Sequence, residues 1–141
     1  MATSLSIADA QATPVVHTFS PVGFLPQEPD VFLFEDRSGG SFIGYSRVKA
    51  SVIRPSSESK TAKGEIRVKV QLQLPKLETL GNSSTGISPP DTLAYTTKVD
   101  VTFTLPERCS QLDRDNIVKM LPLVLADTQI QNLCKVYQRI Q

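Results

Sequence analysis

The chain has 141 residues, 40% of them hydrophobic, with 15 basic and 14 acidic side chains and a formal net charge of +1. That length holds one domain and leaves no room for a second, while the near balance of charge excludes the general polyanion affinity of a strongly basic chain, so any such surface must come from sorting charge onto one face. Ten prolines against seven glycines, with valine, threonine and serine plentiful and no tryptophan, favour strands broken by turns over a helical bundle.

Residues 1–12 lack the basic start and unbroken apolar run of a secretory signal, and nowhere do 18 apolar residues follow one another, so neither export by that route nor a membrane span is expected. An apolar run over 15–19, followed by Val22, Phe24 and Leu25 between prolines, predicts a short hairpin in the N-terminal region, 1–30. Residues 31–34 form a compact apolar run. Turn material at Arg37, Ser38, Gly39 and Gly40 separates it from an extended stretch starting near Phe42, which predicts a second hairpin.

Three later stretches alternate apolar and polar residues with the period of two that a half-buried strand requires. Arg47, Lys49 and Ser51 alternate with Val48, Ala50 and Val52. Arg67, Lys69, Gln71 and Gln73 alternate with Ile66, Val68, Val70, Leu72 and Leu74. Lys98, Asp100, Thr102 and Thr104 alternate with Val99, Val101, Phe103 and Leu105. One-sided alternation predicts an antiparallel sheet over 31–105 with one face packed and the other wet, because parallel strands buried on both faces read as continuous apolar runs. A polar turn is expected over 55–64 and a long Gly- and Pro-bearing loop over 77–92.

After Pro106 the period becomes helical. Ile117, Met120, Leu121, Val124 and Leu125 recur at helical spacing. Ser110 is the expected N-cap, with Asp113 and Asp115 near the positive helix end, and Pro122 lies inside the pattern, where it removes a backbone hydrogen bond. Asp127 or Thr128 caps a second predicted helix, whose apolar stripe is Ile130, Leu133, Cys134, Tyr137 and Ile140. The expectation is one α+β domain over 1–141: an N-terminal hairpin, an antiparallel β-sheet, then two C-terminal α-helices over 110–141.

The residue inventory argues against an enzyme. His17 is the only histidine, which rules out histidine-rich metal sites and leaves any nucleophile and base pair dependent on one residue of the N-terminal region. Cys109 and Cys134 lie 25 residues apart with no second pair, fitting neither a disulfide framework nor a zinc site; Cys134, in the apolar stripe, reads as a small buried hydrophobe. The segment 38–41 lacks the lysine and following helix of a phosphate-binding loop. No cofactor and no metal is expected.

The polar face of the three alternating strands carries Arg47, Lys49, Arg67, Lys69 and Lys98 against Asp100 alone, a net of +4 on a molecule of net +1. A solvated face that happens to be basic is the plain reading. The interleaved Ser51, Gln71, Gln73 and Thr102 favour RNA, since they supply the hydrogen-bonding groups that contact bases and sugars. A sheet with open edges also needs them paired, and self-pairing would double the basic face to a net of +8.

The order of these parts, with the segments RVKASVIRPSS (47–57), EIRVKVQLQLPK (65–76), DVTFTL (100–105) and IVKMLPLVL (117–125), resembles the coat proteins of small single-stranded RNA bacteriophages, the leviviruses. The resemblance covers most of the chain and is looser over the N-terminal hairpin. It implies an interlocked homodimer with a joint sheet, each chain's helices lying over its partner's sheet, and closure of dimers into an icosahedral shell. It further implies that the wet face contacts genomic RNA and an operator hairpin, repressing replicase translation, that the loop over 77–92 changes conformation around the symmetry axes, that a viral maturation protein is a further partner, and that assembly takes place in the bacterial host cytoplasm. The RNA-contacting positions carried over are Arg47, Lys49, Ser51, Arg67, Lys69, Gln71, Gln73, Lys98 and Asp100. Lys98 stands where well-known relatives place a base-stacking tyrosine, Lys49 and Gln71 differ from the usual adenine-pocket residues, and the long loop lacks the cysteines that cross-link some relatives. Two other readings remain: a free dimeric RNA-binding regulator of the same fold, and a sheet-based interaction module with no RNA role.

Overall fold

The computed structural model describes residues 1–55, 64–78, 81, 84–87 and 89–140. The chain forms six antiparallel strands, of which the last three are the period-two segments: β1 (Leu5–Ala8), β2 (Val16–Leu25), β3 (Glu28–Asp36), β4 (Ser46–Ile53), β5 (Glu65–Leu77) and β6 (Leu93–Pro106). Their spatial order repeats their chain order. The long strands β5 and β6 pair from Glu65 opposite Pro106 to Leu77 opposite Leu93, with one register shift at the far end. Ile66, Val68 and Val70 on β5 and Val99, Val101, Thr102 and Thr104 on β6 suit a pleated surface on which branched side chains pack against cross-strand neighbours.

The N-terminal region departs from the expected hairpin. Residues 16–25 form one continuous strand, and the break suggested by Pro21 and Gly23 is a bulge: the register with β3 shifts between them and Gly23 takes φ +132°. A bulge absorbs a proline and a glycine that otherwise read as turn material. The hairpin partner is β1, which pairs Leu5 with Phe19 and Ala8 with Val16. The second hairpin forms as β3 with β4, but β4 starts only at Ser46. A short 3-10 turn, Phe42–Gly44, comes first; a Cβ on Gly39 would lie 2.6 Å from the Gly44 carbonyl oxygen, so this loop folds back on itself where only glycine fits. The turn expected over 55–64 lies largely outside the described residues, as do positions 79, 80, 82, 83 and 88 of the long loop.

Helix α1 (Gln111–Ala126) starts at Ser110, whose hydroxyl accepts from the Asp113 N–H at 3.1 Å while the Asp113 carboxylate accepts from the Ser110 N–H at 3.3 Å. This reciprocal cap satisfies two orphan donors of the first turn. The helix runs through Pro122. Asp127 caps α2 (Thr128–Lys135) by accepting from the Gln129 N–H at 2.9 Å. The chain leaves the helix at Val136 and Tyr137, the latter with φ 54°, so Tyr137 and Ile140 lie beyond the stripe expected of them. Among the described residues no helix is long and apolar enough to cross a membrane.

The hydrophobic content does not become a core within one chain. Among the described residues, the buried apolar side chains are Phe19, Leu33 and Val48. The helices pack against each other, and neither contains a buried residue. Val52, Leu74 and Val99 on the sheet, and Leu112, Val118, Met120, Leu123, Val124 and Leu125 on α1, stay exposed, and Cys134, expected to be buried, is exposed too. A core needs two layers, and one protomer supplies a sheet without the layer that would cover it.

Candidate nucleic-acid interface

Register, more than sequence proximity, builds the polar face. Residues directly opposite in an antiparallel pair project to the same side, so the pairings of β4, β5 and β6 make four rungs: Arg47, Gln73 and Lys98; Lys49, Gln71 and Asp100; Ser51, Lys69 and Thr102; Ile53, Arg67 and Thr104. Neighbouring strands lie about 4.8 Å apart and successive same-face residues about 6.7 Å apart. All nine positions singled out in the sequence therefore share one side of the sheet. On β3, Val31, Leu33 and Glu35 face the same way, opposite Ser51, Lys49 and Arg47.

The side chains on this grid are tied to one another. The Gln73 amide donates to Gln71 Oε1 at 2.6 Å, and the Gln71 amide donates to Asp100 Oδ1 at 2.7 Å. This chain fixes both amide orientations and the plane of the carboxylate. Arg47 is held from three sides: its Nε donates to Glu35 Oε1 at 3.2 Å, a terminal nitrogen donates to the Phe42 carbonyl at 3.0 Å, and the guanidinium lies 4.7 Å from the Phe42 ring centre. Glu35 also meets Arg37 at 3.4 Å. Lys49 pairs with Glu28 at 3.3 Å and Arg67 with Glu65 at 3.7 Å.

These pairs change the charge read from the alternating strands. Glu28, Glu35 and Glu65 join Asp100 and Arg37 joins the cations, so the face sets six cations against four carboxylates and the net of +4 falls to +2. Glu35 and Glu65 were legible in the sequence, since each sits at the right parity of its strand. Glu28 was not, because it reaches Lys49 from the end of the neighbouring hairpin. Among the described residues, Lys69 and Lys98 have no carboxylate partner, which concentrates the available positive charge on β5 and β6.

A concavity of about 420 Å³ opens over the middle rungs, floored by Lys49, Ser51, Lys69, Gln71, Asp100 and Thr102 and walled by residues 28–31 and Ile53. Its polar groups suit phosphate, ribose hydroxyls and base edges together. Among the described residues, no group of histidine, cysteine and carboxylate side chains is placed to hold a metal.

Fold and face together define a class: a single-layer antiparallel sheet with one hydrogen-bonding, charge-patterned side and one apolar side that the described residues leave uncovered. The chain belongs to the levivirus coat protein family, whose model matches residues 1–140. Its structure is similar to that of the protein in the virus-like particle of bacteriophage ESE058, at 36% identity and a TM-score of 0.92 over 100% of this chain and 99% of the other. The virus-like particle of bacteriophage NT-214 (21% identity, TM-score 0.83, 99% and 98% covered) and the bacteriophage GA protein capsid (19%, 0.66, 92% and 91%) share the fold. No curated protein sequence matches significantly.

Proposed function

We propose that this chain is a non-enzymatic coat protein that assembles from homodimers into an icosahedral shell around single-stranded RNA, with the rung face turned inward on the genome. The observation that carries the reading is the grid itself: nine polar or charged residues from three strands on one face, over a concavity of about 420 Å³. The same face binds an operator hairpin at the replicase start and represses that gene. Phosphate contacts supply most of the affinity, and the fixed amides and Asp100 contact the bases.

Dimer formation is supported by what one protomer leaves undone. β6 spans 14 residues and pairs only with β5 among the described strands, and an open edge of that length is a template for a second chain. Pairing of two β6 edges joins the sheets, and the helices of each chain then cover the partner's apolar face. Each Leu or Val so covered contributes about 1.5–3 kcal/mol. Assembly takes place in the host cytoplasm, the loop over 77–92 adapts its conformation around the symmetry axes, and a maturation protein completes the virion.

Negative-stain microscopy of the purified protein, with its ultraviolet absorbance ratio, tests the reading. Uniform particles carrying nucleic acid are expected. A species of dimer mass that binds RNA would point instead to a free regulator, and nucleic-acid content left unchanged by charge reversal at Lys49, Lys69 and Lys98 would remove the RNA role of this face.

A further inference from the structure

Away from the rung face, the only histidine lies between two carboxylates. We propose that His17 is a proton-dependent clasp, which fixes the β1–β2 hairpin to the main sheet while the imidazole is charged and releases the hairpin tip when it is neutral.

The hairpin needs such a fastening. The β2–β3 ladder ends at Ser20 opposite Glu35, and residues 16–19 of β2 pair only with β1. Beyond Ser20 the hairpin has no backbone ladder to β3, and the buried Phe19 is its apolar anchor. His17, three residues past the last rung, reaches back to Asp36 at the end of β3, with Nδ1 2.8 Å from Asp36 Oδ2. Its other nitrogen, Nε2, lies 3.2 Å from Asp9 Oδ2 in the β1–β2 turn. One ring therefore ties turn, strand and sheet together.

Both ring nitrogens face carboxylate oxygens, and only the imidazolium donates from both. Loss of the proton leaves one N–H for two anions. Asp36 is only 5% exposed, and its Oδ1 accepts from the Ser38 N–H at 3.0 Å, so the buried carboxylate keeps the remaining donor; losing it would leave Oδ2 without the ring and the charge compensated by Ser38 alone. Asp9 has other donors: the Val15 N–H at 2.9 Å, the Gln11 N–H at 3.2 Å and the Gln11 side-chain amide at 2.6 Å. The neutral ring then turns a lone pair toward Asp9, and the turn over 9–15 loses its hold on the sheet. The charged groups facing the imidazole are Asp9 from the turn and Asp36 from β3; Ile7 on β1 is its cross-strand neighbour, and Ser46 on β4 lies opposite Asp36.

The titration agrees with this geometry. The hydrogen bond to Asp36, then that to Asp9, raises the His17 pKa above its usual 6.5. Its stabilisation is complete below 6.5 and disappears as pH rises through the raised value. The Val15 N–H, working against desolvation, leads the contacts that hold Asp9 at about 2.

Hydrogen exchange of the purified full-length protein, corrected for intrinsic rates and measured from about pH 6 to about pH 9, tests the clasp. Protection of the β1–β2 amides is expected to fall at least about threefold across that range, while β4, β5 and β6 stay unchanged. His17→Gln should show weak, pH-independent hairpin protection. Asp9→Asn, which removes the facing anion, should keep the hairpin in place and flatten the profile. A wild-type profile without the fall, or the same fall in His17→Gln, overturns the proposal; if His17→Gln fails to fold, the wild-type and Asp9→Asn profiles decide it.

Discussion

Replacing Lys69 and Lys98 together by glutamine is expected to flatten the salt dependence of RNA binding, because these are the two rung-face cations without a carboxylate partner among the described residues. Each cation that neutralises a phosphate on a single strand adds about 0.7 to the slope of log affinity against log salt. The pair therefore removes about 1.4 for each protomer engaged, so over a fourfold rise in salt the variant loses about sevenfold less affinity than the wild type does. The control is Glu28→Gln with Lys49→Gln, which deletes the ion pair at 3.3 Å without changing net charge and should leave the slope within about 0.3 of wild type. Fluorescence anisotropy with a short labelled RNA and unassembled protein, at several salt concentrations, reads both slopes. Equal slope changes in the two double variants, or none in Lys69→Gln with Lys98→Gln, would refute the division of the face into paired and available cations.

Glu35→Gln frees Arg37 and Arg47 from a carboxylate that meets both; it should steepen the same slope by about 0.7 per protomer and tighten binding irrespective of sequence. Leu121→Asp or Leu133→Asp places an unpaired charge where the proposed dimer packs its partner's apolar surface, at a cost of several kcal/mol, and sedimentation should find no particles; normal particles from either would contradict the proposed placement of the helices. Ser110→Ala removes a reciprocal cap, should cost about 1 kcal/mol and lower the melting temperature by a few degrees. In acid, hairpin protection should decline as pH drops below 3.8 toward about 2, where Asp9 gains its proton, and His17→Gln should keep that acid loss while lacking the alkaline one.

Strands β4, β5 and β6 were legible because their alternation is long and regular, and parity alone placed Arg47, Lys49, Ser51, Arg67, Lys69, Gln71, Gln73, Lys98 and Asp100 on one face. Four-residue β1 is too short to carry a period, and the bulge at Gly23 disguised one strand as two. The 3-10 turn at 42–44 depends on a close backbone approach at Gly39 that no propensity records. The ends of α2 were overread because Tyr137 and Ile140 keep helical spacing although the chain turns out of the helix at Tyr137. The uncovered apolar side chains were not legible either, because composition counts apolar residues without saying whether the same chain or another will cover them. Charge was misjudged for a related reason, since Glu28 neutralises Lys49 from a distant stretch of sequence that only the folded hairpin brings near.

The most direct test of the central claim is ultraviolet cross-linking of RNA within purified particles, followed by mass spectrometric assignment of the linked residues. Cross-links are expected on the rung positions of β4, β5 and β6, with Lys69, Lys98 and their same-face neighbours foremost. Cross-links clustered on α1, on α2 or at the apolar positions of the sheet would contradict an RNA-facing grid.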